Sequence, residues 1–179
     1  DNQPPTLVGS GARMHRTGTG NVNVSSGVNL LPTSVFSATV ENTEDIVPDV
    51  TNGRFTVSID GWYDIDFRSK TSSFTDGNVN GSSTAPVPPF PFHLVLYKNG
   101  TVDRYIGDVV RHYIYDVADD YYDAICPDAI AGSASVYLQE DDYVEIGYDA
   151  NTSKTGMLTG EAAGVQTYFA ITLANRSLA

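Results

Sequence analysis

Tyr113, Tyr115, Tyr121 and Tyr122 interleave with Asp116, Asp119, Asp120 and Asp123. Flat apolar rings beside hydrogen-bond acceptors are the side-chain set that binds sugars, through ring stacking and acceptors for hydroxyl groups. The plain alternative is a solvated acidic loop with its tyrosines packed beneath. Asp119, Asp120 and Asp123 also offer the oxygen ligands that Ca2+ takes on flexible loops. Their spacing lacks the glycine at the sixth place and the glutamate at the twelfth that an EF-hand needs, so a loop without metal stands beside that reading. The setting is acidic throughout: from Asp103 to Asp149 there are twelve acids against Arg104 and Arg111, which carries ten of the chain's twelve net negative charges.

Other chemistries find little support. His15, His93 and His112 are scattered, so a transition-metal or histidine-based centre would need them to converge in space. No GxSxG, HExxH or P-loop pattern occurs, and Gly18-Thr19-Gly20 lacks the third glycine of a dinucleotide fingerprint. The 22 acids supply many carboxylate pairs, but nothing in their spacing marks one for glycoside hydrolysis. The expectation is a protein that is not an enzyme. A net charge of −12 repels a phosphate backbone or an anionic membrane, which argues against a nucleic-acid partner and against membrane insertion, and no apolar run reaches the length of a spanning helix. Cys126 is the only cysteine, so no disulfide forms within the chain. Sequons at Asn23, Asn80, Asn99, Asn151 and Asn175 are expected by chance in a chain rich in Asn and Ser.

The elements that must position these residues are strands. Phe55, Val57 and Ile59 alternate with polar neighbours, as do Tyr63, Ile65 and Phe67, and Asp60-Gly61 between them is a hairpin signal. His93 to Tyr97 ends at Asn99-Gly100; Val136 to Leu138 and Val144, Ile146, Tyr148 flank the acidic turn Glu140-Asp141-Asp142; Thr167, Phe169, Ile171 and Leu173 mark a last strand. No segment holds a helical pattern, and Val117 to Ile130 has room for one turn of helix at most before Pro127. Residues 75–91, rich in Gly, Ser and Pro, read as one long exposed loop, and 103–130 as an acidic, Tyr-rich insertion. The 179 residues suit one domain at 11–179 after an extended segment at 1–10. Many short strands between turn residues predict an antiparallel sandwich or barrel.

Several blocks go further. Gly11-Ala12-Arg13-Met14, Asn21 to Val24, Phe36, Asn52 to Val57 ahead of Gly61-Trp62-Tyr63, Leu96 to Gly100, Ser135 to Leu138 with Asp141 to Ile146, and Tyr168 to Ile171 stand in an order that resembles the complement globular-head and tumour necrosis factor superfamily. The opening block is closer to its prokaryotic and bacteriophage branch. Asp141 departs from the pattern, standing where that superfamily usually has glycine. The resemblance implies an all-β, ten-stranded antiparallel jelly-roll sandwich that assembles as a homotrimer and serves as a recognition head without catalysis. Structural calcium near the trimer axis of that superfamily adds to the case for Asp119, Asp120 and Asp123. Tyr137 between Val136 and Leu138 puts large groups on both faces of one strand, which suits a sheet covered by a neighbouring subunit. The leading expectation is a phage fibre or spike tip on a virion or bacterial surface that binds a host glycan or receptor through Tyr113, Tyr115, Tyr121, Tyr122 and their aspartates. A trimer that decorates a capsid shell and a secreted, extracellular glycan-binding module are the alternatives.

Overall fold

A computed structural model describes residues 9–18, 20, 22–33, 35–71, 92–109, 112–116, 121–125, 129–150, 154–159 and 166–176. The loop expected at 75–91 and the segment 1–8 lie outside them. The described residues form fifteen strands and no helix: β1 (Gly11–His15), β2 (Val22–Val24), β3 (Gly27–Leu30), β4 (Ala38–Asn42), β5 (Ile46–Asp49), β6 (Arg54–Val57), β7 (Gly61–Thr71), β8 (Phe92–Lys98), β9 (Thr101–Val109), β10 (His112–Asp116), β11 (Tyr121–Ile125), β12 (Ala129–Leu138), β13 (Tyr143–Ala150), β14 (Lys154–Thr159) and β15 (Tyr168–Arg176).

Two antiparallel sheets face one another. In the seven-stranded sheet β7 is the hub: β12 pairs along one edge, while β15 and then β14 pair along the other, with β1 and β4 beyond β15 and β2 beyond β14. In the six-stranded sheet β13 is the hub, with β8 and β9 on one side and β6, β5 and β3 on the other. The period-2 pattern of the sequence dictates which residues meet between them. Phe55 of β6, Phe67 of β7 and Phe169 of β15 are all fully buried, and Phe55 reaches Phe169 across the sheets with ring centroids 4.7 Å apart. Each such burial contributes about 1.5–3 kcal/mol. At one margin the sheets touch backbone to backbone. A Cβ on Gly107 would sit 2.5 Å from the Ala131 carbonyl oxygen, and one on Gly132 would sit 2.8 Å from that of Ile106.

The hairpin expected at Asp60-Gly61 is a crossover instead. Strands β6 and β7 belong to different sheets, and the link between them is held by the Tyr63 hydroxyl donating to the Ile59 carbonyl (2.7 Å) and by the Glu140 N–H donating to Asp60 (2.7 Å). The acidic turn at 140–142 likewise carries the chain from β12 in one sheet to β13 in the other. Of these turn signals only Asn99-Gly100 closes a hairpin, β8 to β9, with both residues at positive φ (52° and 74°), as a type I′ turn demands. Residues 121–125, expected to hold at most a helical turn, are strand β11.

The Asp142 carboxylate fastens the 140–142 crossover. It takes an ion pair from Lys98 (2.8 Å) and hydrogen bonds from Asn99 (2.6 Å) and the Gln139 N–H (2.8 Å). Burial pushes this carboxyl up, but those donors outweigh it and hold the group below its ordinary range. Its neighbour Asp141 lies at φ 68°, the left-handed region that glycine occupies without strain, which accounts for glycine in the resembled pattern. Asp tolerates that conformation better than most residues. Replacing Asp141 by Gly should therefore change stability by no more than about 0.5 kcal/mol, whereas Asp141→Val should cost about 1–2 kcal/mol, in denaturant melts of the two variants.

Candidate functional site

The tyrosine and aspartate cluster read from sequence falls on strands β10 and β11, which pair with each other and with neither large sheet among the described residues. Register opposes Tyr115 to Tyr122, Tyr113 to Ala124, Asp116 to Tyr121 and Ile114 to Asp123. Directly opposed residues share a face. The hairpin therefore sorts the cluster, with Tyr113, Tyr115 and Tyr122 on one face and Asp116, Tyr121 and Asp123 on the other. Asp119 and Asp120 lie outside the described residues. Among the described residues no group of three His, Cys, Asp or Glu side chains gathers as a metal site, and Asp123 is placed only by its register.

A second cluster, which sequence reasoning missed, lies on the outer face of the six-stranded sheet. Strand β13 turns Val144, Ile146 and Tyr148 inward, so Glu145, Gly147 and Asp149 face out. Strand β8 turns Leu94 and Leu96 inward and His93, Val95 and Tyr97 outward. Two irregularities in the β8–β9 ladder bring Val102 opposite Tyr97, Tyr105 opposite Val95 and Asp108 opposite His93. From the far side β3 sets Leu30 opposite Gly147 and Val28 opposite Asp149.

Gly147 shapes this face, because any Cβ there would run into the Tyr97 ring and the Asn29 carbonyl. The Tyr97 ring lies down in the space so left and is itself buried, while Val95 is wholly covered. Tyr105 stays 52% exposed; its hydroxyl donates to Asp149 (3.0 Å), and its ring meets the His93 ring edge-on at 5.7 Å. His93 Nδ1 lies 2.6 Å from the Asp108 carboxylate. Glu145 is only 8% exposed, yet its carboxylate has neither a hydrogen bond nor an ion pair among the described residues. Burial pushes its carboxyl up; Arg54 opposes that shift and Asp49 adds to it. The Tyr97 hydroxyl is raised by burial and then by the charges of Asp149 and Glu145, and the Tyr105 hydroxyl first by its bond to Asp149. Aromatic rings beside carboxylates offer stacking faces and hydrogen-bond acceptors to a ligand.

The outer face of the seven-stranded sheet has another character. Trp62 is 49% exposed and packs edge-on against Tyr137, its partner across the β7–β12 ladder, at 5.8 Å. The Arg13 guanidinium covers the Tyr168 ring at 4.3 Å. Between these aromatic islands lies a shallow depression of about 340 Å3, lined by Asp64, Asp66, Ser133, Ser135, Ala170 and Thr172. Small side chains leave the sheet open to close approach by another surface.

No protein-family model and no curated protein sequence matches the chain. Solved structures do. Eiger TNF from S. frugiperda superposes with a TM-score of 0.56 at 12% identity, covering 96% of each chain. The fold is the TNF-like jelly roll. Murine APRIL at pH 8.0 is similar too, with a TM-score of 0.50 at 10% identity over 92% of this chain and 98% of that one. Most of the blocks from Gly11 to Ile171 thus stand on strands of the fold that their resemblance implied, or on the turns between them; Phe36 lies in no strand and Asn21 lies outside the described residues.

Glu145 yields a test of the outer-face electrostatics. Its folded-state pKa lies above the unfolded value, so the fold is favoured while the group is protonated and loses that advantage as pH rises through the folded value. The melting temperature of Glu145→Gln minus that of the native protein should accordingly grow from acid to neutral pH; a flat difference would show that the carboxyl is not desolvated.

Proposed function

We propose that this chain is one subunit of a non-enzymatic homotrimeric recognition head, displayed outside the cell or on a virion surface. The observation that carries the reading is the outer face of the seven-stranded sheet. Exposed Trp62 and its partner Tyr137 stand beside a shallow floor of small residues and the carboxylates of Asp64 and Asp66, an open face of the kind that subunits cover, and aromatic anchors dominate the energy of such contacts. Similarity of fold to Eiger TNF and murine APRIL supports it, as does the absence, among the described residues, of any helix long and apolar enough to cross a membrane.

Packed in this way, each subunit turns its six-stranded sheet toward a ligand. Three weak sites on one rigid head then act together, since the second and third contacts form at high effective concentration. In its narrower form the reading makes the head a phage fibre or spike tip whose β10–β11 hairpin binds a host glycan.

Light scattering should give a mass three times 19.3 kDa, and Trp62→Lys should fall to one subunit at the same concentration with its strand circular dichroism intact. A native protein that runs as a monomer overturns the proposal. On a glycan array, Tyr121→Ala combined with Tyr122→Ala should abolish binding and leave the trimer standing; unchanged binding removes the hairpin from the site.

A further inference from the structure

We propose that the outer face of β3, β13, β8 and β9 is a second recognition site, for a basic, partly apolar segment of a partner polypeptide whose Arg or Lys side chain seats against Tyr97 and Tyr105 between Glu145 and Asp149. It rests on the trimer reading only in that the face lies across the sandwich from Trp62 and so stays open in the assembly.

The charge inventory comes first. Facing the site are the carboxylates of Glu145, Asp149 and Asp108. The cations of the same face are few: Arg54, opposite Glu145 in the β6–β13 ladder, is shared with Asp49 at 3.3 Å, and His93 lies against Asp108. Arg104 is taken by Asp103 (2.5 Å) and Lys98 by Asp142. Asp149 receives only the Tyr105 hydroxyl, and Glu145 receives no donor at all among the described residues. The Glu145 residue is only 8% exposed, yet its carboxylate oxygens keep contact with solvent and take no donor from the described residues, so a guanidinium or ammonium group arriving at the face would give them charge-assisted hydrogen bonds. Such a cation over the ring of Tyr97 or Tyr105 gains further from the ring quadrupole.

The neighbours decide the class of partner. Val28 (46% exposed), Leu30 (42%) and Val102 (42%) flank the rings, so the patch spans four adjacent strands, about 14 Å at the usual strand spacing. Exposed aliphatic groups gathered in this way offer nothing to a sugar hydroxyl but pack well against the apolar side chains of a peptide.

The test uses the 15N-labelled full chain and three probes: the peptide acetyl-Leu-Arg-Val-Arg-Leu-amide, its citrulline counterpart of equal size without charge, and a glucosamine hexamer. Saturable shifts should centre on the amides of Tyr97, Tyr105, Gly147 and Asp149, with the citrulline peptide at least about tenfold weaker. Glu145→Gln with Asp149→Asn should weaken the arginine peptide by a similar factor, while Asp64→Asn on the opposite sheet leaves it unchanged. Equal binding of the citrulline peptide, unaltered binding by the double variant, or shifts spread evenly over the acidic surface would overturn the proposal. Tighter binding of the hexamer at these same amides would overturn the polypeptide assignment in favour of a glycan. A chain that proves monomeric by light scattering yet binds the peptide sinks the trimer reading and leaves this site intact.

Discussion

One carboxylate, that of Asp142, joins three stretches of chain at the corner where the two sheets meet. It receives donors from the end of β8 and the β8–β9 turn through Lys98 and Asn99, and from the end of β12 through Gln139, while its own carbonyl accepts the N–H of Val57 at the end of β6 (3.0 Å). The corner sets where β13 begins, and β13 is the strand against which β3, β6 and β8 all pair. A shift of one residue there would turn Val144, Ile146 and Tyr148 out of the core and Glu145 and Asp149 into it. Hydrophobic burial supplies most of the stability; this small polar knot selects the register in which burial happens.

How much could be read in advance follows from the range of each signal. Alternation is local, so Phe55 and Val57, Tyr63 to Phe67, Val144 to Tyr148 and Phe169 to Leu173 declared their strands and inner faces directly. Pairing is not local. Asp60-Gly61 and Asn99-Gly100 look alike as turn signals, yet only the second joins neighbours in one sheet, because β6 pairs with β5 before it and with β13, while β7 finds its partners β12, β14 and β15 much later in the chain. Tyr105 was hidden for a related reason: the ladder irregularities in β9 break the period by which an outward residue is recognised. Gly147 was a signal available and unused, since a lone glycine inside a strand marks a close approach. The tyrosines with Asp116 and Asp123 are close in sequence, but only the pairing of β10 with β11 shows that the hairpin parts them onto two faces.

The two outer faces divide the work of the sandwich by composition. One carries aromatic side chains set among serine, alanine and threonine, with Asp64 and Asp66 between them, a shallow surface open to close approach. The other carries buried acid, stacked rings and loose aliphatic edges, which suits a contact made and broken with a charged partner. Both are built on strands whose opposite sides fill the same core, so the two outer faces are anchored by the interior beneath them.

Strand β15 lies between β7 and β1, although it is the last of the fifteen in chain order. While the protein is being made, β1 and β7 leave the ribosome long before the strand that must separate them. Until β15 emerges, the edges of β7 and β1 that it joins lack the partner they have in the finished sheet. A closing step of the sheet that waits on β15 is built into this topology, and the edges left bare until then are the ones most open to wrong pairing.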